Sequence, residues 1–456
     1  MNSLRRIVAA ELRLFLRTAP LPIVCGSLFL AGLLALWTGQ RRVDRFEAEL
    51  AGLPAQYETQ QEVIARQFSP DGEAGYVAYY TFFPTHHPLP PLAPLSAGVR
   101  ETTPGVLWVR LLGLEGQLYD GILANPVLQS LGDFDLAFVL TVLAPLALLV
   151  LGHDVLTRDR EQGRLALVLA QGASPASLVT VRLAVRFAAV AATTLGLCAA
   201  GFVWFAVVPD ADALRWVASS LLHLVLWAGV TAVIAVAARS VVVGLAAALA
   251  TWVATVVLLP ALFNLVVLAL HPVPEGLEIT VRQRQESHGS WDKPRAEIME
   301  PYLELYPQWK DTPPVEGRFA WRWYYAMHEL ADRSVADAAT RYRDNLHARQ
   351  AHLARLLWFA PTAYAQLLLN HHAGTDLDAH LAYLAQVRAF HQRLREHFHP
   401  LAFAETRITP AQYADFPRFV PARPVGEAHV PLAPLGLGAA AMFLVSTLLL
   451  RRSPLP

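Results

Sequence analysis

The sequence predicts an all-α integral membrane protein with six transmembrane helices, an N-terminal interfacial helix and a largely helical external cap made of two inserts. Three observations carry this. Hydrophobic residues make up 54% of the 456 and charged residues only 16%, where soluble domains carry about a quarter charged residues. Six apolar runs approach or exceed the roughly 20 residues a helix needs to cross a bilayer. Two long stretches between them, 40–133 and 271–431, are too polar to lie in lipid. The formal net charge is zero, which gives no reason to expect a nucleic-acid partner. Cys25 and Cys198 both sit in apolar runs and read as small core residues rather than a disulfide or metal pair.

Residues 1–19 form the first element. Leu4, Ile7, Val8, Leu12 and Phe15 share one helical face, while Arg6, Arg13 and Arg17 share the other. Such a helix lies in the membrane interface with its arginines at the lipid head groups. Glu11 falls in the apolar stripe, where an unpaired charge is costly. Either it meets an arginine of the second basic segment or it snorkels to water. No A-x-A-like cleavage site follows the next apolar run, so that run is expected to be a retained span.

The six spans are expected at Pro20–Thr38, Phe134–Leu151, Leu183–Val208, Trp216–Ala238, Val241–Leu270 and Leu432–Leu450. The fifth has Pro260 within it and more residues than one straight crossing needs, so a tilt, a kink or an external extension is expected. Orientation follows from the basic residues of the short connections. Arg5, Arg6, Arg13 and Arg17 precede the first span. Arg158, Arg160, Arg164, Arg182 and Arg186 follow the second, Arg239 follows the fourth, and Arg451 and Arg452 follow the sixth. The third-to-fourth turn, PDADALR, is acidic instead. Threading six spans puts all the basic connections on one side. Both termini are therefore expected in the cytoplasm and both inserts, 40–133 and 271–431, outside the cytoplasmic membrane.

Between the second and third spans lies TRDREQGRLALVLAQGASP. Thr157 or Asp159 can cap a helix start, and Leu165, Leu167, Val168 and Leu169 supply an apolar side. Gly172 can stop the helix, with Ser174 as a new cap and Pro175 as the first residue of the next helix. A single short amphipathic helix is expected over 159–171. Its punctuation suits docking into the groove of another protein, and an interfacial helix that only anchors the bundle fits the same periodicity.

The run DREQGRLALVLAQGASPASLVTVRL resembles the cytoplasmic coupling segment of ABC-transporter permeases of the type-2 exporter class. Asp159, Arg160, Glu161, Gly163, Leu165, Ser174, Pro175 and Arg182 match its pattern, while Arg164 replaces the usual Thr and Arg182 a usual Lys. Three more stretches are similar to a branch with large extracytoplasmic inserts, related to copper-enzyme maturation permeases. They are PLPPLAPLSAGVRETTPG (Pro88–Gly105), NPVLQSLGDFDLAFVLTVLAPLALLVLGHD, and WFAPTAYAQLLLNHHAGTDLDAHLAYLAQVRAFHQRLREHF. The resemblance covers all six spans and most of both inserts. It implies that Asp159, Arg160, Glu161, Gly163, Arg164, Leu165, Leu169, Ser174 and Pro175 dock a separate ATPase. It also implies that two permeases pair, homo- or heteromerically, and that ATP and Mg are bound by the partner. No G-x-x-x-x-G-K-[ST] occurs in this chain. The expected function is thus the permease subunit of an ATP-driven exporter or maturation system in a bacterial inner membrane, without a cofactor or catalytic residue of its own.

The first insert starts with a helical stretch, RRVDRFEAELAGLPAQYETQQEVIARQF, then turns Pro-rich and aromatic. The second is expected to be irregular to about Pro314, then helical over Trp321–Leu357 and Asp376–Phe398, joined through Pro361 and Gly374. No sheet beyond a small hairpin is expected. Of the 16 histidines, 12 lie in the second insert. His380, His391, His397 and His399 could be metal ligands, but spacing alone brings no three together and surface histidines explain the number. MHELAD begins like a zinc-protease helix, yet position 332 is Asp, so the match fails. His223, inside the fourth span, reads as a neutral residue hydrogen-bonded between helices or as one facing a conduit. Two other function classes fit less well: a membrane-anchored extracytoplasmic binding or scaffold protein, and a metal-dependent hydrolase needing His371, His372 or His391.

Overall fold

The computed structural model describes residues 8–9, 11–14, 20–67, 72–119, 134–171, 174–272, 275–422 and 430–452. It is mostly helical, and among the described residues six helices are long and apolar enough to cross a membrane. They are Pro20–Gln67, Leu136–Glu161, Pro175–Trp204, Ala211–Ala237, Val241–Leu270 and Ala433–Arg452. The chain is therefore a multi-pass membrane protein by composition and length. The second and fourth helices are the most enclosed and the fifth the least. Trp216 and Trp227 of the fourth are fully buried among their neighbours.

Local chemistry explains where these helices start. Ser174 accepts from Ser177 N and forms a capping box ahead of Pro175, as the S-P pair predicts. Asp210 accepts from Ala213 N at 2.9 Å and Ser240 from Val243 N at 3.2 Å, so two more orphan amides are satisfied. The first helix does not stop at the membrane edge. It continues unbroken for 48 residues to Gln67 and carries the first insert's initial stretch with it.

Two π-turns interrupt the spans, at Val139–Leu143 and Ala254–Leu258. The wider turn re-aims carbonyls at side chains of neighbouring helices. Thr141 O accepts from His223 Nε2 at 3.0 Å, and Val142 O accepts from Trp252 Nε1 at 3.0 Å. The bond expected of His223 thus joins the second and fourth spans. The second π-turn lies just before Pro260, whose missing N–H it accommodates without breaking the helix.

The two inserts pack together at one end of the bundle. Their core is aromatic: Phe83, Tyr325, Tyr383, Phe390 and Phe398 are buried. Two small antiparallel sheets occur where one hairpin at most is expected. Phe83–His86 pairs with Val106–Val109 around the 87–105 loop, and Gly72–Glu73 of the first insert pairs with Arg407–Ile408 of the second. The beginning of the second insert is not irregular but holds helices Glu275–Gly289 and Arg295–Leu305. The helix expected over Trp321–Leu357 divides into Trp321–Ser334 and Ala336–Leu356, with Val335 between them fully buried.

One element lies where the sequence does not suggest. The helix Pro361–Ala373, expected as a joint within the cap, packs among the spans, against Ala211–Ala237 and both π-turns. Pro361 opens it and Gly374, at φ +64°, closes it in the left-handed conformation. Its apolar side, Ala365, Leu368 and Leu369, is fully buried in the bundle core. Its polar residues bind one another there. Thr141 Oγ1 donates to Gln366 Oε1 at 2.8 Å, Gln366 Nε2 to Asn370 Oδ1 at 3.1 Å, and Ser96 Oγ to the same Asn370 oxygen at 2.7 Å.

Candidate functional site

The segment 153–171 is folded tightly onto the spans, with Val155, Leu156 and Leu165 packed against Leu183 and Ala235. The helix expected over 159–171 is in fact two, Thr157–Glu161 and Leu165–Ala170. Gly163 makes the break. It sits at φ +67°, a conformation most residues adopt only at a cost of about 1–2 kcal/mol. Leu156, not Thr157 or Asp159, holds the N-cap position, and no side chain caps it. Gly172 lies outside the described residues.

Asp159 has a different task. Its carboxylate is buried and accepts from Arg182 at 2.6 Å on one oxygen and from Arg164 Nε and a terminal nitrogen, at 3.1 and 2.9 Å, on the other. Arg182, on the third span, also donates to Val155 O at 2.5 Å. Its Nε lies 2.7 Å from Glu11 Oε1, and both side chains are largely enclosed. One guanidinium therefore ties the N-terminal segment, the 153–161 turn and the third span together. Of the two readings of Glu11, pairing with an arginine is the one the structure takes. Arg186, one turn on, donates to Leu151 O at 2.7 Å.

Arg160 and Glu161 reach the other way. Arg160 donates to Ala238 O at 3.2 Å, and Glu161 Oε1 accepts from Val241 N at 2.9 Å. They thus grip the turn between the fourth and fifth spans. Leu165 anchors the second short helix in a cluster with Val155, Leu156, Leu178, Leu183 and Ala235. Leu169 is half-buried against the same cluster. Arg158, Glu161, Gln162, Gly163, the outer part of Arg164, Ala166, Ala170, Gln171 and Leu167, which is 66% exposed, remain open to a partner. Ser174 and Pro175 start the third span rather than this face. Arg13 is exposed, and Arg6 and Arg17 lie outside the described residues.

In the sequence Arg182 reads as a motif match and as one of the basic residues that set the orientation, but not as the hub. A signal was present: an arginine on an otherwise apolar helix entering a span requires a carboxylate. Asp154 is buried and pairs with Arg158 at 2.5 Å.

The inserts hold a charge cluster of their own, in which Arg395 bridges the buried Glu329 at 2.6 Å and Asp332 at 3.2 Å. Among the described residues, no three His, Cys, Asp or Glu side chains converge as metal ligands would. His391 Nε2 donates to Arg110 O at 3.0 Å, His399 Nδ1 lies 3.2 Å from Tyr302 OH, and His371 pairs with Asp376 at 2.8 Å. Residues 277–422 match the model of a domain of unknown function, DUF3526, which lies within the second insert and does not include the Arg182 hub. None of the curated proteins compared matches the chain.

Proposed function

We propose that this chain is the membrane permease of an ATP-driven transport system of the type-2 ABC exporter class. In this reading a separate ATPase docks on the Leu167 face, and two permeases pair around the path. The membrane is the bacterial inner membrane, with the basic end in the cytoplasm and the cap outside. The observation that carries it is the Arg182 hub. A force applied to the exposed Leu165–Ala170 helix has rigid routes into the bundle. It reaches the third span through Asp159–Arg182, the fourth-to-fifth turn through Arg160 and Glu161, and the N-terminal segment through Glu11.

Such a hub suits rigid-body switching, because buried charge-assisted hydrogen bonds hold their geometry while whole helices move. ATP and Mg belong to the partner in this scheme. This chain supplies the docking face, the linkage and the walls of the path. The helix Pro361–Ala373, held among the spans by Gln366 and Asn370, is then placed to close the cap side of the path.

Leu167→Arg tests the reading. The site is exposed, so the variant folds. Tagged wild-type protein purified from native membranes in mild detergent is expected to bring an ATP-binding subunit with it, and Leu167→Arg to lose that subunit. If no ATP-binding subunit accompanies the wild type under several gentle conditions, the reading fails, and a cap anchored by six spans becomes the better account.

A further inference from the structure

The first helix passes close by a cavity whose chemistry the transport reading does not use. From Pro20 to Gln40 it rises about 30 Å, the thickness of a hydrocarbon core. Two tryptophans mark that level. Trp37 and Trp204 are both about half exposed, Arg41 lies over the Trp37 ring at 5.2 Å, and Trp204 Nε1 donates to Gln40 Oε1 at 3.1 Å. Amphipathic rings gather at the edge of a membrane. Arg42 and Arg45 follow about 3 and 8 Å further along the helix, within the head-group layer.

There the helix and the 89–105 loop of the first insert enclose a cavity of about 290 Å³. Arg42, Arg45 and Arg100 line it, against Glu49 and Glu101, so cations outnumber anions. Arg100 is committed to Pro88 O and His87 O and lies over the Phe46 ring. The other two are not fully used. Arg42 Nε pairs with Glu101 at 2.8 Å, but its NH1 is buried with no partner. Arg45 is 73% exposed and comes no nearer than 4.0 Å to the same carboxylate. Asp135, the nearby buried acid, is occupied by the amides of Ala97 and Phe138. Val43, Phe46 and Leu89 complete the wall with apolar surface.

We infer that this cavity binds a phosphate oxyanion, supplied by a lipid head group in the leaflet that faces the cap. The unpaired Arg42 nitrogen and the Arg45 guanidinium take the phosphate oxygens, and the apolar wall takes the glycerol carbons. An arginine fork matches phosphate geometry, and the height on the helix selects a lipid rather than a ligand in free solution. The inference stands whether or not an ATPase docks at the other end.

The test is thermal unfolding of the full-length protein in neutral detergent, titrated with phosphatidylglycerol, diacylglycerol or inorganic phosphate. Phosphatidylglycerol is expected to raise the midpoint and diacylglycerol to leave it unchanged. Arg42→Gln and Arg45→Ala are expected to need at least about tenfold more phosphatidylglycerol for the same rise. Arg66→Ala, on the same helix but far from the cavity, is expected to behave as wild type. Should Arg42→Gln fail to fold, the exposed Arg45 position decides alone. If inorganic phosphate at millimolar levels gives the same arginine-dependent rise, the oxyanion site stands and its source is free phosphate. Equal phosphatidylglycerol response in Arg45→Ala and wild type overturns the site, as does an equal loss in Arg66→Ala.

Discussion

Arg182 is the residue on which the basic end depends. It meets two buried carboxylates and a carbonyl at once, and removing it leaves Glu11 and Asp159 enclosed without their shared cation. Breaking a buried ion pair from one side costs about 3–5 kcal/mol, so Arg182→Ala is expected to lower the thermal midpoint sharply in detergent. Arg182→Lys recovers only part of this, since an ammonium cannot serve three acceptors in a fork. The triple change Arg182→Met, Glu11→Gln, Asp159→Asn is expected to be more stable than Arg182→Ala alone. If it is no better, stranded charge is not what makes Arg182→Ala costly. Glu11 and Asp159 were both legible as charged positions, but that one arginine on a different helix serves both was not.

Among the elements, the inserted helix Pro361–Ala373 shows how far local signals reach. Pro361 and Gly374 mark its ends correctly, and its apolar side is plain in the sequence. Its location is not. A 13-residue helix is too short to score as a span, and Gln366, Asn370, His371 and His372 make it read as polar surface. Inside the bundle those amides satisfy Thr141 and Ser96 instead. Asn370→Leu leaves the Ser96 hydroxyl and a Gln366 N–H without their acceptor, at a cost of about 1–3 kcal/mol per buried group. Lowered thermal stability with the cap still folded, read by protease resistance of the 275–422 region, is the expected result. A neutral effect would mean that water already serves these groups. The 157–170 segment follows the same pattern: its helical character was legible, while the break at Gly163 and the inward turn of Asp159 were decided by the spans beneath it.

For the whole molecule, the buried histidines of the inserts favour their neutral form and so tie stability to pH. Burial pushes His87, His391 and His399 down to about 3, and His328 and His380 down to about 4. Their unfolded values lie near 6.5. Between about pH 6.5 and 3 the unfolded chain therefore binds more protons than the folded one, and stability falls as pH falls through that window. At pH 5 each fully buried histidine costs about 2 kcal/mol relative to neutral pH. Asp332, pushed up by burial to about 7, works in the opposite sense, its advantage being lost as pH rises through that value. Glu73, Asp378 and His371 are raised as well and act with Asp332. His372, pushed down to about 4, and the lowered His86 and His397 add to the imidazoles, which outnumber the raised groups and leave a net loss in acid. Thermal unfolding between pH 7.5 and 5 is expected to show a falling midpoint, and His391→Gln a shallower fall. A midpoint that is flat with pH would show that water reaches these rings.

The sequence by itself determined the class of this protein: six apolar helices, their order, a basic end, and two polar inserts. Those properties follow from hydropathy and length, which every window of the chain carries locally. The cap residue Ser174 was likewise readable, because a helix end is satisfied by its immediate neighbours. Tertiary structure alone decided that Arg182 joins Glu11 to Asp159, that Pro361–Ala373 enters the bundle, and that Arg42 and Arg100 face one cavity. Each of these pairs groups distant in sequence. Charge and hydrogen-bonding capacity state that a buried polar group needs a partner, but only the packing of whole helices decides which one it finds.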